Sequence, residues 1–98
     1  MEKYTEILKL KDMLKKAGIP FKFEEGCFDG YHISYPKAGN ERVCSVIEHY
    51  GSYGHDKDLL EIMGLLTEEE AAEDDVAGWL TAEDVFSRIK ADFDRRSR

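Results

Sequence analysis

The sequence predicts an α+β domain in which a three-stranded antiparallel sheet packs against N-terminal and C-terminal helices, in the order α-β-β-β-α-α-α. Three observations lead there. Apolar residues recur at helical spacing over 5–17. Short alternating runs separated by turn residues fill 21–50. A capped amphipathic segment occupies 82–94.

In the first segment, Ile7, Leu10, Leu14 and Ala17 stand at i, i+3, i+7 and i+10, with Met13 beside them. Lys9, Lys11, Lys15 and Lys16 fill the other side, so one face is apolar and the other charged. Gly18 suits the left-handed position after a helix, and Pro20 prevents its continuation. Residues 21–24 and 31–35 then alternate apolar and polar, and a Pro-, Gly- and Asn-bearing turn at 36–40 precedes a third run over 42–50. Val43, Val46 and Ile47 place apolar groups on both parities of that run, which reads as the best-covered strand. Loops this short favour an antiparallel meander.

Residues 51–55 form a tight polar loop, with Asp56 a suitable N-cap for the next segment. There Leu59, Ile62, Met63 and Leu66 fall at i, i+3, i+4 and i+7, which predicts a short helix. Thr67 and Glu70 have the spacing of a capping box, so a further helical turn is expected to run into the acidic residues 73–75 until Gly78 breaks it. Thr81 caps the last helix, with Asp84 at its third position and Leu80 placed to staple onto Val85. Val85, Phe86, Ile89 and Phe93 line one face, while Arg88, Lys90, Arg95, Arg96 and Arg98 lie towards the end that favours cations. The expected core is Ile7, Leu10, Leu14, Ile33, Val46, Leu59, Ile62, Met63, Val85, Phe86 and Ile89.

A chain of 98 residues is the size of one domain, here 1–98, and its core is thin. Tyr4, Phe28, Tyr31, Tyr35 and Trp79 exceed what so small an interior can hide, which predicts a homo-oligomer. A formal net charge of −7 argues against direct nucleic-acid binding, since a phosphate backbone is met by a basic face. It fits a basic partner, or serves solubility alone. Charged residues interrupt every apolar stretch, and Glu2, Lys3, Glu6 and Lys9 occupy the place of a signal core, so no membrane association and a cytoplasmic location are expected. Cys27 and Cys44 show no CxxC spacing and read as two free thiols, with a single disulfide between strands as the alternative.

The densest segment is 48–58, where a strand end meets a helix start. His49, Tyr50, Gly51, Ser52, Tyr53, Gly54 and His55 form a candidate ligand-binding loop: a tyrosine could stack on a base, and Ser52 and the glycine amides could hold a phosphate. Glu48, Asp56 and Asp58 oppose that phosphate unless His49, His55 or Lys57 compensates. The plain alternative is a Gly-bounded turn with one Tyr packed inward. His32, His49 and His55, even with Glu48, Asp56 or Cys44, lack the spacing of a metal site, so neither metal nor cofactor is expected. Cys44 and His49 stand five apart on one strand and point to opposite faces, and nothing fixes the separation of Glu48 and Asp56. No catalytic residue is therefore assigned. An alternative interface is the acidic run, Glu68, Glu69, Glu70, Glu73, Asp74 and Asp75, followed by Trp79. Carboxylates of this kind can occupy an Arg/Lys cleft, or merely solvate a helix start, with Trp79 as a core cap.

The run Cys44-Ser45-Val46-Ile47-Glu48-His49-Tyr50-Gly51-Ser52-Tyr53-Gly54, followed by Asp58-Leu59-Leu60-Glu61-Ile62-Met63-Gly64-Leu65-Leu66-Thr67, resembles small proteins encoded by phages and prophages of Gram-positive gut bacteria. Gly78-Trp79-Leu80-Thr81-Ala82-Glu83-Asp84-Val85-Phe86 and Leu14-Lys15-Lys16-Ala17-Gly18-Ile19-Pro20-Phe21 extend the likeness over nearly the whole chain. The resemblance implies an accessory protein that counters host defence in the cytoplasm of the bacterial host. It implies two routes. The first is sequestering a small nucleotide immune signal, cyclic nucleotide or ADP-ribose in type. The second is blocking a host defence protein by direct contact, as an anti-CRISPR-like acidic inhibitor does. The resemblance carries no catalytic residues.

Overall fold

The computed structural model describes residues 4–27, 30–49 and 51–97. Its class is α+β, and the sheet has five strands where three were expected. They run antiparallel in sequential order: β1 (Lys22–Cys27), β2 (Gly30–Tyr35), β3 (Cys44–Glu48), β4 (Leu60–Met63) and β5 (Val76–Leu80). Helix α1 (Thr5–Lys16) precedes the sheet, α2 (Glu68–Glu73) joins β4 to β5, and α3 (Ala82–Arg96) closes the chain. The expected meander is present and simply continues for two more strands.

One row of paired residues crosses the sheet: Phe23 opposite Ile33, Ile33 opposite Val46, Val46 opposite Ile62, and Ile62 opposite Ala77. Residues directly opposite share a face, so this row defines the inner side. Helix α1 packs over β2 and β3, α3 packs over β4, and the two helices pack on each other. Ile7, Leu10, Leu14, Val85 and Ile89 fill the space between, all fully buried with Ile33, Val46, Leu60 and Ile62.

The segment expected as a helix around 59–66 is instead β4, preceded by a single 3₁₀ turn (His55–Lys57). Its apolar residues satisfy two periods at once: Leu59, Ile62, Met63 and Leu66 are spaced for a helix, while Leu60 and Ile62 alternate with Glu61 and Met63. A run this short is ambiguous by pattern. Backbone conformation decides it, because Asp58 (φ 56°), Gly64 (φ 96°) and Leu65 (φ 53°) bracket the segment with left-handed residues that no helix accommodates. At Gly64 the turn passes so close to β3 that an added Cβ would sit 2.4 Å from the Val43 carbonyl oxygen. The strand period turns Met63 outward, so it leaves the expected core, while Leu59 is half-buried and Phe86 packs at the core's edge.

The chain expected to remain helical up to Gly78 also differs. Thr67 and Glu70 form the capping box as expected, but α2 ends at Glu73 and the next five-residue element is β5, with Gly78 inside it. The capping box of α3, Thr81 with Asp84, is as read from the sequence. Tyr4 and Tyr35 are buried and Tyr31 stacks on Phe23 at 5.5 Å between centroids. The aromatic surplus that suggested an oligomer is thereby smaller than composition implied, and Phe28 lies outside the described residues.

Helix α1 has no side-chain cap of its own, since Tyr4 before it is left-handed (φ 62°). Residues distant in sequence do the capping. Asp58 accepts from the Thr5 hydroxyl and from the Glu6 amide at 3.1 Å, and Glu48 Oε1 accepts from the Ile7 amide at 3.1 Å. These are the amides that a first helical turn leaves without partners. Asp56, expected to cap a following helix, lies in the 3₁₀ turn. At the other end of the core, buried Asp92 accepts from the Tyr35 hydroxyl at 2.8 Å, and Arg95 and Arg96 close over it at 2.6 and 2.7 Å. Among the described residues, no helix is long and apolar enough to cross a membrane.

Candidate functional site

The turn at 51–55 is held by its own polar groups. Ser52 is buried; its hydroxyl accepts from the His49 amide at 3.1 Å and donates to the His49 carbonyl at 2.9 Å. The His55 amide donates to the Ser52 carbonyl at 3.2 Å, and His55 Nδ1 lies 2.7 Å from the same oxygen. Ser52 and His55, both expected to face a ligand, are therefore committed to the loop's shape. Gly51 is exposed and left-handed (φ 98°). Gly54 is buried against β5, where an added Cβ would lie 3.1 Å from the Trp79 backbone. His49 is half-buried just beyond β3; Tyr50 lies outside the described residues.

Tyr53 behaves differently. It is 48% exposed, so Tyr53 is not an inward-packed tyrosine of this turn, and its ring stacks on Trp79 with centroids 5.6 Å apart and planes 12° from parallel. Local chemistry fixes this geometry. The Tyr53 amide donates to Glu61 Oε1 at 2.9 Å, and the Trp79 amide approaches the Tyr53 carbonyl at 3.4 Å. Gly78 makes room, because an added Cβ would sit 2.4 Å from the Tyr53 Cβ. Trp79 is left-handed (φ 55°) at an irregularity in the β4–β5 register, a costly conformation for a bulky residue. It turns the indole into solvent, 56% exposed, and Trp79 is not a core cap.

The loop and Trp79, the end of the alternative interface, are thus neighbours in space. Leu60 and Ile62 point into the core, so Glu61 and Met63 project from the outer face of β4. Met63 is 49% exposed and sits opposite Val76. Tyr53, Met63 and Trp79 are the exposed large apolar side chains among the described residues, and they arrive from three segments on one side of β4–β5. Helix α2 lies against β5. Of its acidic run, Glu70 is engaged by Arg88 in a two-pronged bridge at 2.7 and 2.8 Å, and its carboxyl is held at about 2, by the Arg88 hydrogen bonds first and the Thr67 amide second. Glu68, Glu69, Glu73, Asp74 and Asp75 have no ion pair among the described residues.

The other constellations resolve into structure. Cys44 is a free, buried thiol on the inner face, and burial pushes its pKa up to about 12, which keeps it an unreactive thiol. His32 is largely covered: its Nε2 lies 2.5 Å from Ser45 Oγ and 3.3 Å from Ser34 Oγ, with Glu24 3.5 Å from Nδ1. An acid–imidazole–hydroxyl series of this kind can polarise a hydroxyl. Here β3 lies between β2 and β4 and its amides belong to the ladders, so none is left to hold an oxyanion. Among the described residues, no group of three or more His, Cys, Asp or Glu is placed to hold a metal ion.

The carboxylate pair suspected in Glu48 and Asp56 forms between Glu48 and Asp58. Glu48 is fully buried, and its Oε2 has no hydrogen-bond partner among the described residues. Burial, then the Asp58 carboxylate beside it, raises the Glu48 pKa to about 9, so it is protonated at neutral pH. Burial would also raise Asp58, but polar contacts from Glu48, Thr5 and the Glu6 amide outweigh it and hold Asp58 below its ordinary value. The pair carries one charge at the start of α1, where the helix dipole favours it. No family model, curated protein or solved structure matches the chain.

Proposed function

We propose that this protein is a non-catalytic binder that blocks a partner protein by direct contact through the outer face of β4–β5. The observation that carries this reading is the convergence of Tyr53, Met63 and Trp79, each about half exposed, on one side of those two strands. Apolar groups that a small chain could have hidden are gathered where they meet solvent, and Trp and Tyr are the side chains that dominate interface energetics. Uncompensated carboxylates on α2 and before β5 favour a basic partner surface. With the phage likeness of the sequence, the partner is a host defence protein and the setting the cytoplasm of an infected bacterium.

Sequestration of a nucleotide signal is the second reading, favoured by the exposed ring faces of the Tyr53–Trp79 stack. It is weaker because Ser52 and His55 are already engaged and the surrounding charge repels phosphate. Two measurements decide. Expressed in cells carrying a phage-defence system that it counters, the protein restores plaque formation, and Tyr53→Ala with Trp79→Ala abolishes that rescue while the variant melts like the parent. Full rescue by the double variant overturns the assignment of the surface. A thermal-shift screen against cyclic nucleotides and ADP-ribose leaves the midpoint unmoved in the first reading; a shift lost on Trp79→Ala installs the second.

A further inference from the structure

We infer that the outer face of β4–β5 is built to seat an arginine of a basic partner segment, with the guanidinium lying on the Tyr53–Trp79 rings and bonded to Glu61. This rests on the contact reading and specifies the chemistry the surface selects. Three features combine. The first is a flat π surface of fixed orientation: near-parallel rings, the outer one on a residue 56% exposed. It is held by the Tyr53 amide on Glu61 and by the missing Cβ of Gly78, so little ordering remains to be done when a partner arrives.

The second feature is Glu61 itself. Its Oε1 is pinned by the Tyr53 amide, which holds a carboxylate beside the residue that carries the stack, and Oε2 has no hydrogen bond or cation among the described residues. A cation above the rings would meet the aromatic face and this carboxylate together. The third is the apolar pair Met63 and Val76 next along the strands, which suits the methylene stem of a long basic side chain. Guanidinium fits this set better than ammonium. It is planar and stacks on rings, it presents donors in a fork that matches a carboxylate, and it is less strongly hydrated. A phosphate-bearing ligand meets the same carboxylates as repulsion.

Trp79 is the single tryptophan of the chain, so its emission reports on the site directly. We would titrate the protein with nona-arginine, nona-lysine and AMP, following Trp79 fluorescence. Nona-arginine is expected to perturb the emission and to bind at least about fivefold more tightly than nona-lysine, the scale of one stacked guanidinium. Glu61→Gln keeps the oxygen that the Tyr53 amide needs, so it should melt like the parent and weaken nona-arginine about tenfold. Glu25→Gln removes an equal charge from β1, the opposite edge of the sheet, and should weaken it far less. Equal binding of the two peptides, or equal losses in Glu61→Gln and Glu25→Gln, reduces the effect to general acidity and overturns the inference. So does AMP perturbing Trp79 while nona-arginine does not. Each of these outcomes leaves the contact reading standing, because that reading fails separately, when the Tyr53→Ala, Trp79→Ala variant still restores plaques.

Discussion

The two sides of this sheet treat the same kinds of residue in opposite ways. On the inner side, Ile33, Val46, Leu60 and Ile62 are closed in by α1 and α3, and the acids found there are engaged: Glu48 and Asp58 receive the first amides of α1, and Asp92 receives Tyr35, Arg95 and Arg96. On the outer side of β4–β5, Tyr53, Met63 and Trp79 stay half exposed, and Glu61 beside them has no cation among the described residues. The lesson is that neither apolar content nor negative charge is informative by itself. An engaged acid under a helix is architecture, whereas an idle acid beside exposed rings is a surface awaiting a partner.

Neighbouring residues of β4 offer the hardest test of that contrast and the largest expected effect. Ile62→Ala should destabilise the fold by about 2 to 5 kcal/mol, because it empties a fully buried site. Met63→Ala, one residue on but on the other face, should stay within about 0.5 kcal/mol. Chemical denaturation of both variants measures this directly. Similar losses in the two would mean that β4 does not present alternating faces.

Asp92 ranks next. Asp92→Ala leaves the buried Tyr35 hydroxyl without its acceptor and frees two arginines, and should cost about 2 to 4 kcal/mol. Burial would raise the Asp92 pKa, but Tyr35, Arg96 and Arg95 outweigh it and depress it. Its contribution is therefore present above the unfolded value near 3.8 and is lost as pH falls through the lower folded value. An Asp92→Ala protein that unfolds in acid along the same profile as the parent would contradict this role.

Glu48 should act with the opposite sign. Its folded pKa, about 9, lies above the ordinary 4.5, so the folded state binds the extra proton. Stability from this group is complete below the ordinary value and declines as pH rises towards about 9. Glu48→Gln mimics the protonated side chain at every pH. It should stabilise the protein by about 1 to 3 kcal/mol at neutral pH and flatten its pH dependence between those values. A destabilised Glu48→Gln protein at neutral pH would show that the carboxyl is ionised there.

The smallest effect is expected where function is placed. Trp79→Ala should move the melting midpoint by no more than about 2 to 4 °C, since a half-exposed ring in a strained backbone contributes little and its removal changes stability by under about 0.5 kcal/mol. A drop of about 8 °C or more would mean that the indole belongs to the fold rather than to a surface.

Where residues act on their immediate neighbours, the chain could be read directly. The stripe of α1, the strands β1 to β3 and the Thr67–Glu70 and Thr81–Asp84 capping boxes depend on residues a few positions apart. The candidate site was legible only in halves: the loop around Tyr53 and the acidic run before Trp79 stood as rival locations. β4 was hidden because so short a strand cannot separate a period of two from one of 3.6. Only the tertiary structure could settle that, through the left-handed backbone at Asp58, Gly64 and Leu65 and the pairing of Ile62 with both Val46 and Ala77. The same pairing lays Gly78 beneath Tyr53 and brings the loop against Trp79. It also carries Glu48 and Asp58 to α1, a helix more than forty positions away in sequence. Local pattern chooses the elements; which side chains meet depends on strand register and layer packing, contacts between residues far apart in the chain.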